Sequence, residues 1–312
     1  MAMMDQIDFH PRLVALLQQI FGNRVELVRQ AIVKQHYDYL VLTLWLRHPS
    51  IKVVVKLAGP GATMASSFDR TAMLHRLVAS HTTIPMPEIL AVDVSCRSFP
   101  WRYLVRTYLP GKEWWKVQRH LPADELTDAY QQLGAAIARL HTIHFSAFGE
   151  LDWEGHVLNG LPFLDAFRLR ARKSISSTRL LDIFLTLLDQ HALLFQDLTP
   201  PSLCHEDLHA YNVLFHLRHG QWRLATLLDF EKAWAGNHEI DLARMEFWRG
   251  VIGEAFWPAY TSIIPMDSSY AQRRPIYQLL WCLEYARPTP EHLRDTQGLC
   301  AQLGLPLIES FD

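Results

Sequence analysis

The stretch LCHEDLHAYNVLF, Leu203 to Phe215, spells two chemistries at once. His205, Glu206 and His209 form His-Glu-x-x-His, the zinc-hydrolase pattern in which two imidazoles one helical turn apart hold a metal beside a glutamate base. His205, Asp207 and Asn212 form His-x-Asp-x-x-x-x-Asn. That is the loop in which phosphoryl-transfer enzymes keep an aspartate that orients the acceptor hydroxyl and an asparagine that holds magnesium. The zinc pattern works only on a continuous helix, because only a period of about 3.6 residues stacks the two histidines. The neighbours oppose a helix. Pro200-Pro201 stands upstream, and downstream NVLFHL and WRLATLLDF are two β-like runs joined at His219-Gly220, a hairpin signal. The quoted stretch is therefore expected to be a loop entering a hairpin. The second run ends on Asp229, a carboxylate placed as a second magnesium ligand beside Asn212.

Working outward toward the start of the chain, residues 11–21, PRLVALLQQIF, repeat apolar positions at helical spacing and stop at Gly22-Asn23. VELV, YLVLTLWL and IKVVVKLA then read as antiparallel strands. In the last of these Lys52, Val54 and Lys56 share one face, so a lysine projects from an N-terminal strand toward a cleft, where it suits nucleotide phosphates. SSFDRTAMLHRLVAS reads as a helix, followed by the strands LAVDVS and WRYLVRTYL, the second closed by Pro110-Gly111. Helices dominate from there on. DELTDAYQQLGAAIARLHTIH is the clearest, apolar at Tyr130, Leu133, Ile137 and Leu140. The shift from strands to helices places a boundary after residue 108. The expected fold is α+β and bilobal: a nucleotide-binding lobe over 1–108 with an antiparallel sheet, then a mainly helical catalytic and acceptor-binding lobe over 109–312 with a helical insertion at about 145–200.

HEDLHAYNVLF, LLDFEKAWAGNHEIDLARM and IARLHTIHFSAFGEL together resemble the aminoglycoside phosphotransferase and choline kinase superfamily, small-molecule kinases with a protein-kinase-like fold. They run in the family's order from Ile137 to Met245. The resemblance implies that Asp207 is the catalytic base, that Asn212 and Asp229 hold Mg2+, and that Lys56 anchors the phosphates of ATP or GTP. RYLVRTYLPG matches the family's hinge, which implies that the Thr107 carbonyl and the Leu109 amide meet the adenine edge. The chain departs from the pattern in three places. Arg70 stands where the family places the glutamate partner of its strand lysine, leaving Asp69 or Asp229 to supply that charge. The nucleotide-covering turn near RQAIVKQHYDY has no glycine, and Arg106 occupies a normally apolar position beside the adenine.

Several residues have plainer readings. His205 serves to orient the loop, and His209 reads as a solvated loop residue. His141 and His144, at a helix end, favour the dipole and lack a carboxylate to complete a metal set. Asp241 reads as a cap or an anchor for the 205–212 loop. The aromatics Trp234, Trp248, Trp257, Trp281 and Tyr285 read mostly as core. RLRARK, 168–173, reads as a solvated basic face.

Composition sets outer bounds. A 312-residue chain that is 49% hydrophobic builds a sizeable core, and a formal charge of −2 provides no basic field for nucleic acid. Asp5 and Asp8 oppose a signal peptide, and no apolar run is long enough to span a membrane, so a cytoplasmic location is expected. The four cysteines are widely spaced and read as reduced, mostly buried thiols. The expected function is transfer of a γ-phosphoryl group to a hydroxyl of a small molecule by a monomer or homodimer. Across 145–200, seven acids face five bases, too few for a polycationic acceptor. A neutral or singly charged acceptor is expected, macrolide-like and so antibiotic-modifying, with a choline-type amino alcohol or a sugar as the alternative. A non-catalytic nucleotide-binding protein and a zinc hydrolase using His205, Glu206 and His209 complete the options.

Overall fold

The computed structural model describes residues 9–36, 39–59, 62, 67–196, 198, 200–248, 250–284 and 289–311. Asp5, Asp8, the turn at Tyr37-Asp38, Pro60-Gly61, Asp197 and Tyr285 lie outside these residues. The chain forms two compact units, Met1–Gly111 with Trp153–Gly155, and Lys112–Asp152 with His156–Asp312.

In the first unit, helix α1 (Phe9–Phe21) is followed by strands β1 (Glu26–His36), β2 (Tyr39–Arg47) and β3 (Ile51–Ala58), helix α2 (Phe68–His81), and strands β4 (Ile89–Asp93) and β5 (Arg102–Thr107). The five strands form one antiparallel sheet in the order β1-β2-β3-β5-β4. Alternation along each strand assigns its side chains to two faces. Leu40, Leu42 and Leu44 of β2, with Val53, Val55 and Leu57 of β3, pack against Leu13, Leu16 and Leu17 of α1. Val41, Val54 and Leu104 face the other way, under Phe68 and Ala72 of α2. Lys56 shares parity with Val54 and lies opposite Val41 and Leu104, on the α2 face.

The second unit begins with β6 (Lys112–Glu113) and a short helix α3 (Trp114–Val117), then α4 (Ala123–His141), α5 (Phe163–Ser174), α6 (Thr178–Gln190) and strand β7 (Ser202–Cys204). Next come β8 (Val213–Arg218), β9 (Gln221–Leu227), β10 (Trp234–Gly236) and helices α7 (Glu239–Phe247), α8 (Phe256–Thr261), α9 (Tyr270–Glu284) and α10 (Pro290–Gln302). β8 and β9 form the expected hairpin, with Arg218 opposite Gln221. Its two turn residues, His219 and Gly220, have φ of 50° and 75°, as a two-residue turn that follows the strand twist requires. β6 extends this hairpin into three strands, while β7 pairs separately with β10. Leu133, Ile137 and Leu140 of α4 are fully buried, as their spacing predicts. None of the described helices is long and apolar enough to cross a membrane.

Candidate active site

β7 ends at Cys204, and residues 205–212 run as a loop into β8. This path requires a left-handed Glu206, with φ of 65°, which costs energy for a residue other than glycine. Buried hydrogen bonds hold it. The backbone N–H groups of His205 and Glu206 each donate to one oxygen of Asp241 on α7, both at 2.7 Å. Asp241 is fully buried and also accepts from His141 Nε2 of α4 at 3.1 Å, while the other nitrogen of that ring accepts from the Tyr260 hydroxyl at 2.8 Å. Burial raises the Asp241 pKa, but the bonds from His141 and His205 prevail and hold it below the ordinary carboxylate value. His141 is thus a buried link in this chain, which corrects its reading as a helix-end dipole partner.

The His205 ring ties the loop to the hairpin. Asp207 N–H donates to its Nδ1 at 3.2 Å, so Nε2 carries the proton and donates to Leu228 O at 2.8 Å. Burial lowers its pKa, which keeps the ring neutral. Glu206 points inward, its oxygens 3.4 Å from Arg170 Nε and 3.1 Å from Arg244 Nη2. Burial raises its pKa against the pull of these two arginines. The zinc reading fails here. The stretch is not a helix, both nitrogens of His205 are engaged, Glu206 is buried between arginines, and no potential metal cluster among the described residues contains the three.

Asp207 faces outward, a quarter of its side chain exposed, where it can reach a solute. Asn212 Nδ2 donates to its backbone oxygen at 2.9 Å and to Oδ2 at 3.3 Å, Lys232 Nζ lies 3.8 Å from Oδ1, and His209 Nε2 lies 3.7 Å from Oδ2. His209 is therefore a partner of this cluster and not a fully solvated residue, and burial lowers its pKa. Leu228 N–H donates to Asn212 O at 2.8 Å, so Asn212 before β8 and Asp229 after β9 stand at the same end of the hairpin. Asp229 adopts a left-handed conformation, φ 69° and ψ 57°. Asp207, Asn212 and Asp229 are brought to one place by the loop and the hairpin ends.

Lys56, Thr107 and Leu109 belong to the first unit. Thr107 N–H donates to Glu88 O at 2.9 Å, and the next amide turns the other way, Tyr108 N–H donating to Lys52 O at 3.0 Å. Lys52, on the same strand face as Lys56, lies 3.3 Å from the centroid of the Tyr108 ring, a cation–π contact. The Asp69 carboxylate accepts from the Ser67 hydroxyl and from Arg70 N–H at the start of α2, a favourable place for negative charge.

Sequence reasoning missed the buried role of Glu206 and its arginines. RLRARK divides: Arg168 bridges Asp165 and Asp189 at the surface, whereas Arg170 is buried and reaches Glu150 at 3.0 Å as well as Glu206. The single solvated face expected for this stretch is corrected accordingly. A second buried pair, Arg273 of α9 with Glu239 of α7, is bidentate at 2.6 and 2.7 Å. The available signal was the set of charges at Glu239, Asp241 and Arg244 interleaved with apolar residues in a helix that is buried over most of its length.

The model of the phosphotransferase enzyme family matches residues 37–263, well over half of the chain and all of the loop and hairpin just described. The chain belongs to this family. The family match agrees with the resemblance carried by the motifs. A putative fructosamine-3-kinase from Thermobifida fusca YX-ER1 has a similar structure, with a TM-score of 0.65 at 17% identity over 93% of this chain and 98% of that one. A thermostable mutant of an aminoglycoside phosphotransferase, solved with AMP-PNP and hygromycin B, has a TM-score of 0.63 at 17% identity, covering 93% and 97%. The ethanolamine kinase of Plasmodium vivax has a TM-score of 0.57 at 13% identity, covering 98% and 91%. At these identities the likeness concerns the fold, and it shows the α+β kinase-like architecture of this phosphotransferase. No curated relative matches the sequence.

Proposed function

We propose that the protein transfers the γ-phosphoryl group of ATP or GTP to a hydroxyl of a small molecule in the cytoplasm. The observation that carries this reading is Asp207: an accessible carboxylate, oriented by Asn212, on a loop whose backbone is pinned from behind by Asp241. The acceptor oxygen bonds to the γ-phosphorus as the bond to the β–γ bridging oxygen breaks. The hydroxyl proton passes to Asp207, and the nucleoside diphosphate leaves. Asn212 and Asp229 present only oxygen donors toward a cation, a set that suits magnesium. Bound there, magnesium would neutralise phosphate charge. Lys56 is assigned to the phosphates, and the Thr107 carbonyl and Leu109 amide to the adenine edge. With so little covalent work for the protein, the gain comes from positioning and charge.

The test is magnesium-dependent release of nucleoside diphosphate across an acceptor panel of antibiotics, amino alcohols, sugars and amino acids. Asp207→Ala should cut turnover by about 10²-fold or more while nucleotide still binds, because the residue meets the acceptor proton. Turnover near wild type in that variant would remove Asp207 from the role. Nucleotide binding without turnover of any acceptor would favour the non-catalytic alternative.

A further inference from the structure

An aromatic wall of the second unit borders the accessible carboxylate of Asp207. The His209 ring, whose Nε2 lies 3.7 Å from Asp207 Oδ2, stands between Tyr211 at 5.7 Å and Trp248 at 5.9 Å, centroid to centroid. Tyr211 continues the row to Trp115 of α3 at 5.4 Å. Hydrogen bonds and packing hold these rings in place. Trp115 N–H donates to Ala210 O at 3.2 Å and Tyr211 N–H to His209 Nδ1 at 3.3 Å, while Trp248 backs onto the buried Trp281 at 4.9 Å. The wall is also open. Tyr211 is 56% exposed, and Trp115 and Trp248 are half-buried. Core packing accounts for the buried Trp114 and Trp281, but not for a tyrosine left toward water beside Asp207.

Exposed aromatic rings next to a few polar groups suit molecules that carry both a C–H face and hydroxyls. We propose that this wall is the acceptor platform and that the acceptor is a neutral sugar, its C–H face laid against Tyr211 and Trp248 and one hydroxyl turned to Asp207. The proposal rests on the phosphoryl-transfer reading and narrows it. The sugar oxygen takes the γ-phosphoryl group, its proton passes to Asp207, and the nucleoside diphosphate leaves. Charge opposes a cationic acceptor. Lys116 and Arg119 lie 5.1 and 5.4 Å from the centroid of Trp115 and already occupy that ring, and Lys232 Nζ stands 3.8 Å from Asp207 Oδ1. Glu113, at the same end of the wall, accepts from Trp115 Nε1 at 3.1 Å and pairs with Lys116. A choline-type or polycationic acceptor therefore meets bases where it needs carboxylates or open rings. Shape opposes a flat aromatic one. Neighbouring rings meet at 44°, 76° and 66°, a stepped surface that a puckered ring follows and an extended planar ring does not.

The experiment uses the full chain with magnesium and ATP or GTP. Its acceptors are glucose, galactose, ribose, methyl glucoside and sucrose, set against choline, kanamycin, erythromycin, benzyl alcohol and glucose 6-phosphate. The expected result is the highest kcat/KM for a neutral sugar. Tyr211→Ala, at an exposed position that leaves the fold intact, should raise KM for that sugar about tenfold with KM for the nucleotide unchanged, whereas Tyr211→Phe should retain the wild-type value. Trp248→Leu should act in the same direction, with urea unfolding to show that the packing on Trp281 survives. An unchanged sugar KM in Tyr211→Ala, or the highest kcat/KM for any of the five comparison acceptors, would overturn the proposal and leave the phosphotransferase reading intact. If nothing in the panel is phosphorylated while nucleotide binds, saturation-transfer NMR with the same sugars decides. Transfer to sugar C–H protons that Tyr211→Ala abolishes supports the proposal, and no transfer at millimolar sugar overturns it. Failure to bind nucleotide would instead count against the underlying reading.

Discussion

Asp241 accepts the N–H groups of His205 and Glu206 on its two oxygens and the His141 ring on one of them, so three donors from two other elements depend on one buried carboxylate. Asp241→Asn keeps the shape but replaces one acceptor by an NH2 group, leaving a backbone donor facing a donor. The cost is about 1–3 kcal/mol of stability, and the start of the loop loosens. In the proposed mechanism kcat should fall at least tenfold by this loosening, with the nucleotide KM nearly unchanged. Lost stability with kcat intact would show that Asp241 does not position Asp207. Asp229 makes the complementary case. Asp229→Asn removes a formal charge from the proposed cation site and should weaken magnesium-dependent nucleotide binding. Equal magnesium dependence in variant and wild type, measured by nucleotide titration, would point to another ligand.

Helix α4 shows how far local patterning reaches. Its apolar stripe was legible because Leu133, Ile137 and Leu140 recur at helical spacing, and the β8–β9 hairpin because His219-Gly220 interrupts two β-like runs. Gly134 was not. It lies against α8, where an added Cβ would fall 2.3 Å from Phe256 O, so the bare backbone sets how closely the two helices approach. Gly134→Ala gains about 1 kcal/mol of helix propensity. It must also displace backbone, and overpacking of this kind costs about 1–3 kcal/mol. The net expectation is a lower urea midpoint with an unchanged slope. A variant as stable as wild type would mean that α8 yields freely. RLRARK failed as a prediction for a related reason: four charges along one helix say nothing about which neighbour each will meet, and Arg170 turned out to be the one facing Glu206.

Taken together, the buried histidines make the whole second unit sensitive to acid. Burial lowers His205 and His209, and it pushes His238 from 6.5 down to about 3, helped by nearby His141 and Arg273. Between pH 6.5 and pH 3 the unfolded chain binds a proton at this site that the folded chain refuses, so stability falls as pH falls through that window and is fully present above it. His238→Asn should flatten the slope of unfolding free energy against pH by up to about 1.4 kcal/mol per pH unit, with no change of slope above pH 6.5. Urea titrations across the window check this. Parallel curves for variant and wild type would remove His238 as a source of acid sensitivity.

The strands of the first unit, the loop entering β8, and the β8–β9 hairpin that carries Asn212 and Asp229 at its ends could be read from the chain because each rests on neighbours a few residues apart: strand alternation, helical period and turn residues. The placement of the charges could not. Glu206 meets Arg170 and Arg244, and the loop's amides reach Asp241 across separations of 35 and 36 residues. Such pairs leave no periodic trace, because a buried charge is satisfied by whichever partner the packed helices carry to it.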